Sequence, residues 1–271
     1  MTHDEKLAII SGNLRGALSD TTRSSDICTG TLFELAEIAV AMGDGDSAVD
    51  TAKLVIPDGN RRMLAEFCRL YSKYGGEIKS PFLVSEVSDS HTVMIPEIAK
   101  LEDAVAYLNR KGLSLEIGFG DSFSACAEDV EYGYARYVLM PIGDPVEGRL
   151  RSFDRLRDRY GLKIHCTVNI PSDDSGEYSY QLCALGFPDR SVMPPSRLSF
   201  SADIRSDMLQ YLDAVKCFDA SLISAEIDVN KVSRVRAVAD ISGMDETSLC
   251  GLCMYLGTDA DLTVDGCYAE F

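Results

Sequence analysis

The chain has no tryptophan, only three histidines among 271 residues, and 26 Lys and Arg against 43 Asp and Glu. Each shortage excludes something. His3, His91 and His165 form no ligand spacing, so a histidine-based metal centre is not expected, nor any other metal or cofactor. A net charge of -17 repels nucleic acid and anionic membrane on average, so direct contact with either is not expected, and a partner should carry a basic surface. No uncharged run approaches the ~20 residues of a membrane span. Met1-Thr2-His3-Asp4-Glu5-Lys6 carries acid where a signal peptide is basic, which makes the cytoplasm the expected location.

What is present is an ordinary globular balance, 46% hydrophobic and 25% charged, with length for one large domain or two modest ones. The nine cysteines are odd in number and scattered through apolar runs. They read as buried thiols in a reducing compartment, not as a disulfide framework.

Residues 1–75 have helical periodicity and read as a helical subdomain or cap. Leu7, Ile10, Leu14 and Leu18 share one face of a first helix, and a second covers 32–42 and ends at Gly43-Asp44-Gly45. Asp46 caps a third through Leu54, and Asn60 a fourth that buries Met63, Leu64, Phe67, Leu70 and Tyr71 and stops at Gly75.

The pattern then changes to alternation. Strands are predicted over 81–87 and 91–95 about the turn Ser88-Asp89-Ser90, followed by a helix with Ile98, Leu101, Ala104, Val105 and Leu108 on its face. Leu113, Leu115, Ile117 and Phe119 give another strand. Within 76–187 the clearest run is a strand at 137–142, a helix opening at Asp144-Pro145-Val146-Glu147 and continuing to Tyr160, and strands at 162–170 and 178–184. That is βαββ. Residues 188–271 repeat and complete the order: strand 198–204, helix 207–220, strands 223–229 and 235–241, helix 245–256 and strand 264–271.

The expected class is therefore α+β, an N-terminal helical segment followed by ferredoxin-like units with antiparallel sheets. The βαββαβ order of 188–271 resembles the architecture shared by small regulatory ligand-binding domains of the ACT type, which implies a small-molecule-binding regulatory role. The resemblance lies in element order and is accompanied by no family motif.

Candidate chemistry is sparse. Cys250-Gly251-Leu252-Cys253 lies inside an apolar helix, so buried thiols are expected there instead of a zinc or redox pair. Gly43 to Asp50 lacks the glycine and glutamate of a calcium loop and reads as a turn between helices. Gly118-Phe119-Gly120-Asp121-Ser122 follows a strand but lacks a phosphate-binding fingerprint. It reads as a turn leading into an exposed acidic segment with Glu128, Asp129 and Glu131. His165 and Cys166 are strand neighbours and should point to opposite faces, leaving Lys163, His165, Thr167 and Asn169 on a polar face, either solvated or ligand-binding. The helix over 145–160 carries Arg149, Arg151, Arg155, Arg157 and Arg159. These can hold an anion, or be neutralised through Glu147 with Arg151 and Asp154 with Arg157.

The candidate ligand residues are thus Arg151, Arg155, Arg159, Lys163, His165 and Asn169, suited to an anionic small molecule. From Ala237 onward there are seven acids and no Lys or Arg. Asp240, Asp245, Glu246, Asp259, Asp261 and Asp265 form the candidate surface for a basic protein. With no nucleophile and base, ligand set or phosphate loop, the favoured reading is a non-catalytic protein acting through protein contacts, as an acidic inhibitor or antagonist of a nucleic-acid-handling machine. The alternatives are the small-molecule-binding regulator and an enzyme of unrecognised type. The last strand, 264–271, is the expected edge for a homodimer.

Overall fold

The computed structural model describes residues 2–19, 24–43, 45–57, 60–78, 91–172, 176–188, 193–203, 208–228, 234–258 and 262–271. The chain is mixed α+β with an N-terminal helical segment. It forms two compact units, each drawn from two separate stretches: Met1–Leu83 with Phe200–Val264, and Val84–Ser199 with Asp265–Phe271. Among the described residues, no helix is long and apolar enough to cross a membrane.

The first unit opens with α1 (His3–Ser19), α2 (Ser24–Met42), α3 (Gly45–Val55) and α4 (Arg61–Lys73). Asn60 caps α4, accepting from the Met63 amide at 3.0 Å, and Gly75 at φ +81° ends the run. Met63, Phe67, Leu70 and Tyr71 are buried as the spacing predicts, while Leu64 is half-buried. The unit continues with the end of β7 (Arg197–Asp203), α8 (Met208–Val215), β8 (Ser221–Asp228), β9 (Arg234–Asp240), α9 (Glu246–Leu256) and the start of β10 (Leu262–Glu270). The strand order is β10-β7-β9-β8, and β8 and β9 are antiparallel. This is the ferredoxin-like order read from the sequence. Helices α4 and α9 approach closely at Gly251, where an added Cβ would lie 3.0 Å from the Cys68 carbonyl oxygen. All nine cysteines are thiols, and Cys68, Cys126, Cys166, Cys183, Cys253 and Cys267 are buried.

The second unit contains β1 (Thr92–Pro96), α5 (Ala99–Arg110), β2 (Glu116–Gly120), α6 (Phe123–Glu131), β3 (Tyr137–Asp144), β4 (Gly148–Arg149), α7 (Arg151–Arg159), β5 (Lys163–Ser172) and β6 (Gly176–Ala184). Its strands run in the order β2-β1-β3-β6-β5-β10. β1 is parallel to both β2 and β3, while β6 is antiparallel to β3 and β5. Helices cover both faces. Leu101, Ala104, Val105 and Leu108 of α5 pack with Leu139 and Leu182. Cys126, Ala127 and Val130 of α6, with Phe153 and Leu156 of α7, pack with Val138, Met140 and Cys183. Strand neighbours point to opposite faces, so these are the two sides of the sheet.

Three expectations change here. The stretch after Gly120 is helix α6, because Ser122 caps it through the Ala125 amide and Cys126, Ala127 and Val130 give it an apolar side. Asp144-Pro145-Val146-Glu147 does not open a helix: Asp144 accepts from the Val146 and Glu147 amides at 2.8 and 3.1 Å and turns the chain from β3 into β4. Gly148 at φ +72° permits the hairpin, and the helix starts only at Arg151. The last strand is not an edge, since β10 pairs in parallel with β5 from Gly266↔Ile164 to Glu270↔Thr167. The predicted strand over 81–87 and its turn lie outside the described residues.

Candidate functional site

In the second unit the chain leaves β1 through α5 to reach β2, then crosses back through α6 to β3 on the other side of β1. The carboxyl ends of β1 and β3 are therefore a topological switch point, where loops diverge to opposite faces and leave a crevice. Lys100, in the first turn of α5, reaches this end, where its Nζ donates to the Tyr178 hydroxyl and lies 3.8 Å from the Tyr178 ring centre. Ile98 precedes α5 without a side-chain cap, so its first amides are not closed by that residue. Asp144 ends β3 opposite. The Val146 and Glu147 amides, with a smaller pull from the Lys100 charge, hold its carboxyl below the usual range. The Lys100 cation and the helix start favour an anionic group, and the Asp144 carboxylate opposite works against one.

On the other face, α7 splits its arginines between two roles. Arg151, Arg155 and Arg159 stand four residues apart and are exposed, the last with its guanidinium 5.3 Å from the Tyr160 ring centre. Arg157 is 1% exposed. Its guanidinium donates to Gln181 at 3.2 Å, Asp158 at 3.1 Å and Asp154 at 3.5 Å, and lies 3.9 Å from Asp265, which accepts from Ser199 at 3.3 Å. Burial opposes the charge, but Asp265, Asp154 and Asp158 outweigh it and raise the Arg157 pKa. Of the pairs expected to neutralise this helix, Asp154 with Arg157 forms, and Asp154 also meets Arg149 at 3.1 Å. Glu147 sits in the hairpin turn, outside α7.

The expected polar face of β5 is divided. The β5–β6 register shifts between Ile164 and Cys166, making His165 the extra residue of a β-bulge. His165 lies edge-on to Tyr137, 5.3 Å between ring centres, and Tyr137 packs with the α5-side cluster that holds Cys166. Thr167 and Asn169 pair with Gln181 and Ser179, on the α7 side, and Ser179 donates to Asn169 at 2.7 Å. Lys163 Nζ is 5.4 Å from the Phe187 ring centre. His165 is therefore neither solvated nor on the opposite face from Cys166. It is buried, with Nε2 2.7 Å from the Gly186 carbonyl, and burial pushes its pKa down to about 4, with help from the Arg136 charge. The six candidate ligand residues do not converge on one surface.

The acidic candidates also separate. Asp265 is 3% exposed and faces Arg157 in the second unit. In the first unit, Asp240 accepts from the Ser242 amide and hydroxyl, Asp245 caps α9 through the Ser248 amide, and Glu246 begins that helix. Asp259 and Asp261 lie outside the described residues. Cys250-Gly251-Leu252-Cys253 is inside α9, and no group of three or more His, Cys, Asp or Glu among the described residues is placed to hold a metal. Sequence reading missed both Lys100 with Tyr178 and the Arg157–Asp265 pair. The first pair joins residues 78 positions apart, and no local spacing signals it.

No family model matches the chain, and no curated protein matches its sequence. Solved structures do match in fold. Prephenate dehydratase from Streptococcus mutans aligns with 66% of this chain and 98% of its own, at 10% identity and a TM-score of 0.52. Prephenate dehydratase from Arthrobacter aurescens, solved in complex with L-Phe, aligns with 66% of this chain and 89% of its own, at 11% identity and a TM-score of 0.50.

Proposed function

We propose that the chain is a small-molecule-binding regulatory protein that seats an anionic ligand at the switch point of its second unit. The observation carrying this reading is the position of Lys100 and Tyr178 at the carboxyl ends of β1 and β3, where doubly wound α/β sheets take their ligands. The fold likeness to a protein solved with L-Phe supports an aromatic amino acid or related carboxylate as the ligand class. The nine thiols support a reducing compartment for it. The rival seat is the exposed Arg151, Arg155 and Arg159 row of α7. An acidic antagonist docking on a basic protein has less support, because Asp265 is buried and Asp240 and Asp245 serve local turns and caps.

Thermal unfolding with L-phenylalanine and a panel of aromatic carboxylates tests the proposal. At a hundredfold excess over Kd a ligand should stabilise the chain by about 2.7 kcal/mol. Lys100→Ala should lose the shift, while Arg155→Ala and Arg159→Ala keep it. The reverse pattern would move the seat to α7. No shift with any member of the panel would refute the ligand class.

A further inference from the structure

Strand β8 ends the order β10-β7-β9-β8, so among the described residues one of its edges pairs with β9 and the other with no strand. Such an edge is a template for further pairing, and proteins that leave it alone usually blunt it with lysine, proline or short length. Ser-Leu-Ile-Ser-Ala-Glu-Ile-Asp has neither residue, runs for eight positions and exposes Leu222, Ile223 and Ile227 by 42, 51 and 56%. Its protecting devices are the charges of Glu226 and Asp228 and a bulge at Ile223, which leaves Ser224 to Asp228 regular.

Charge distinguishes the occupants. Across the hairpin Glu226 stands opposite Arg236 and Asp228 opposite Arg234, so this edge is balanced within a chain of net charge -17. A basic partner finds no net attraction here, and a second copy, repelled by much of the surface, meets no repulsion. The strand also complements itself. Antiparallel pairing about Ala225 sets Glu226 beside Ser224 of the other copy within the regular stretch and brings Ile227 toward the bulged Ile223. Moving the two-fold axis from Ala225 to position 226, a slide of two residues, would set Glu226 against Glu226.

We infer that the chain forms a two-fold homodimer by antiparallel pairing of β8 with β8 of a second copy. The dimer is independent of ligand at the second unit. Light scattering on the full chain, from about 1 to 100 µM in low and high salt, should give twice the 29.6 kDa monomer mass at the upper concentrations. High salt should not dissociate it. Leu222→Lys with Ile227→Lys, and separately Ile223→Lys, should give monomers with unchanged circular dichroism and melting temperature. A wild-type monomer throughout, or a dimer that all three substitutions leave intact, would overturn the inference.

Discussion

The second unit buries Arg157, Asp265, His165 and Gln181, whereas the described interior of the first holds only Thr31, Ser72 and Ser201 as polar side chains. The first unit instead packs helices through small residues, with Ala36, Ala39, Ala48, Ala52 and Ala65 fully buried and Gly251 against the Cys68 carbonyl. Apolar packing tolerates many sequences of similar volume, but a buried ion pair tolerates few, because each member depends on the other. The second unit is therefore more sensitive to single charge changes and to pH, and the first to added volume.

The largest test is Arg157→Met. It leaves Asp265 buried without its cation and should cost about 3–5 kcal/mol in urea unfolding, much of it recovered by adding Asp265→Leu. If Arg157→Met cost no more than Arg155→Ala, expected within about 0.5 kcal/mol, the pair would have no structural weight.

Next is the His165 imidazole. Its folded pKa is depressed to about 4 from 6.5, so between those values the unfolded chain binds a proton that the folded chain refuses. Stability should fall as pH drops through that window, by about 3 kcal/mol in full, with no contribution from this group to the slope above it. In His165→Gln, which keeps a donor toward Gly186, that part of the acid sensitivity should vanish. An unchanged slope would assign it to other groups.

The smallest concerns the first unit. Gly251→Val should cost about 1–3 kcal/mol, because its Cβ meets backbone on α4 and a Phe218 ring carbon at 3.1 Å. A neutral substitution would show that α4 and α9 can part without loss.

Legibility in the sequence followed the range of the forces involved. The α4 cap at Asn60 and the βαββαβ order rest on spacings within a few residues and were readable. Asp144-Pro145-Val146-Glu147 satisfies a helix start and an Asx turn equally well, and Gly148 tipped the choice toward the hairpin. The bulge at His165 is set by pairing with β6, so alternation alone placed that side chain wrongly. The parallel β2-β1-β3 arrangement was hidden for the same reason, since a five-residue run such as Thr92–Pro96 does not announce its neighbours. Lys100 with Tyr178, and Arg157 with Asp265, exist only after the sheet has formed.

The division of the chain also sets an order of events during synthesis. What covers the Ser72 side of helix α4, the Thr247 carbonyl at 2.7 Å and the helix α9 around Gly251, is translated 175 residues or more after it. At about 5–20 residues per second, that face waits roughly 10–35 s. During the interval this side of α4 lacks the α9 surface it packs against in the folded unit.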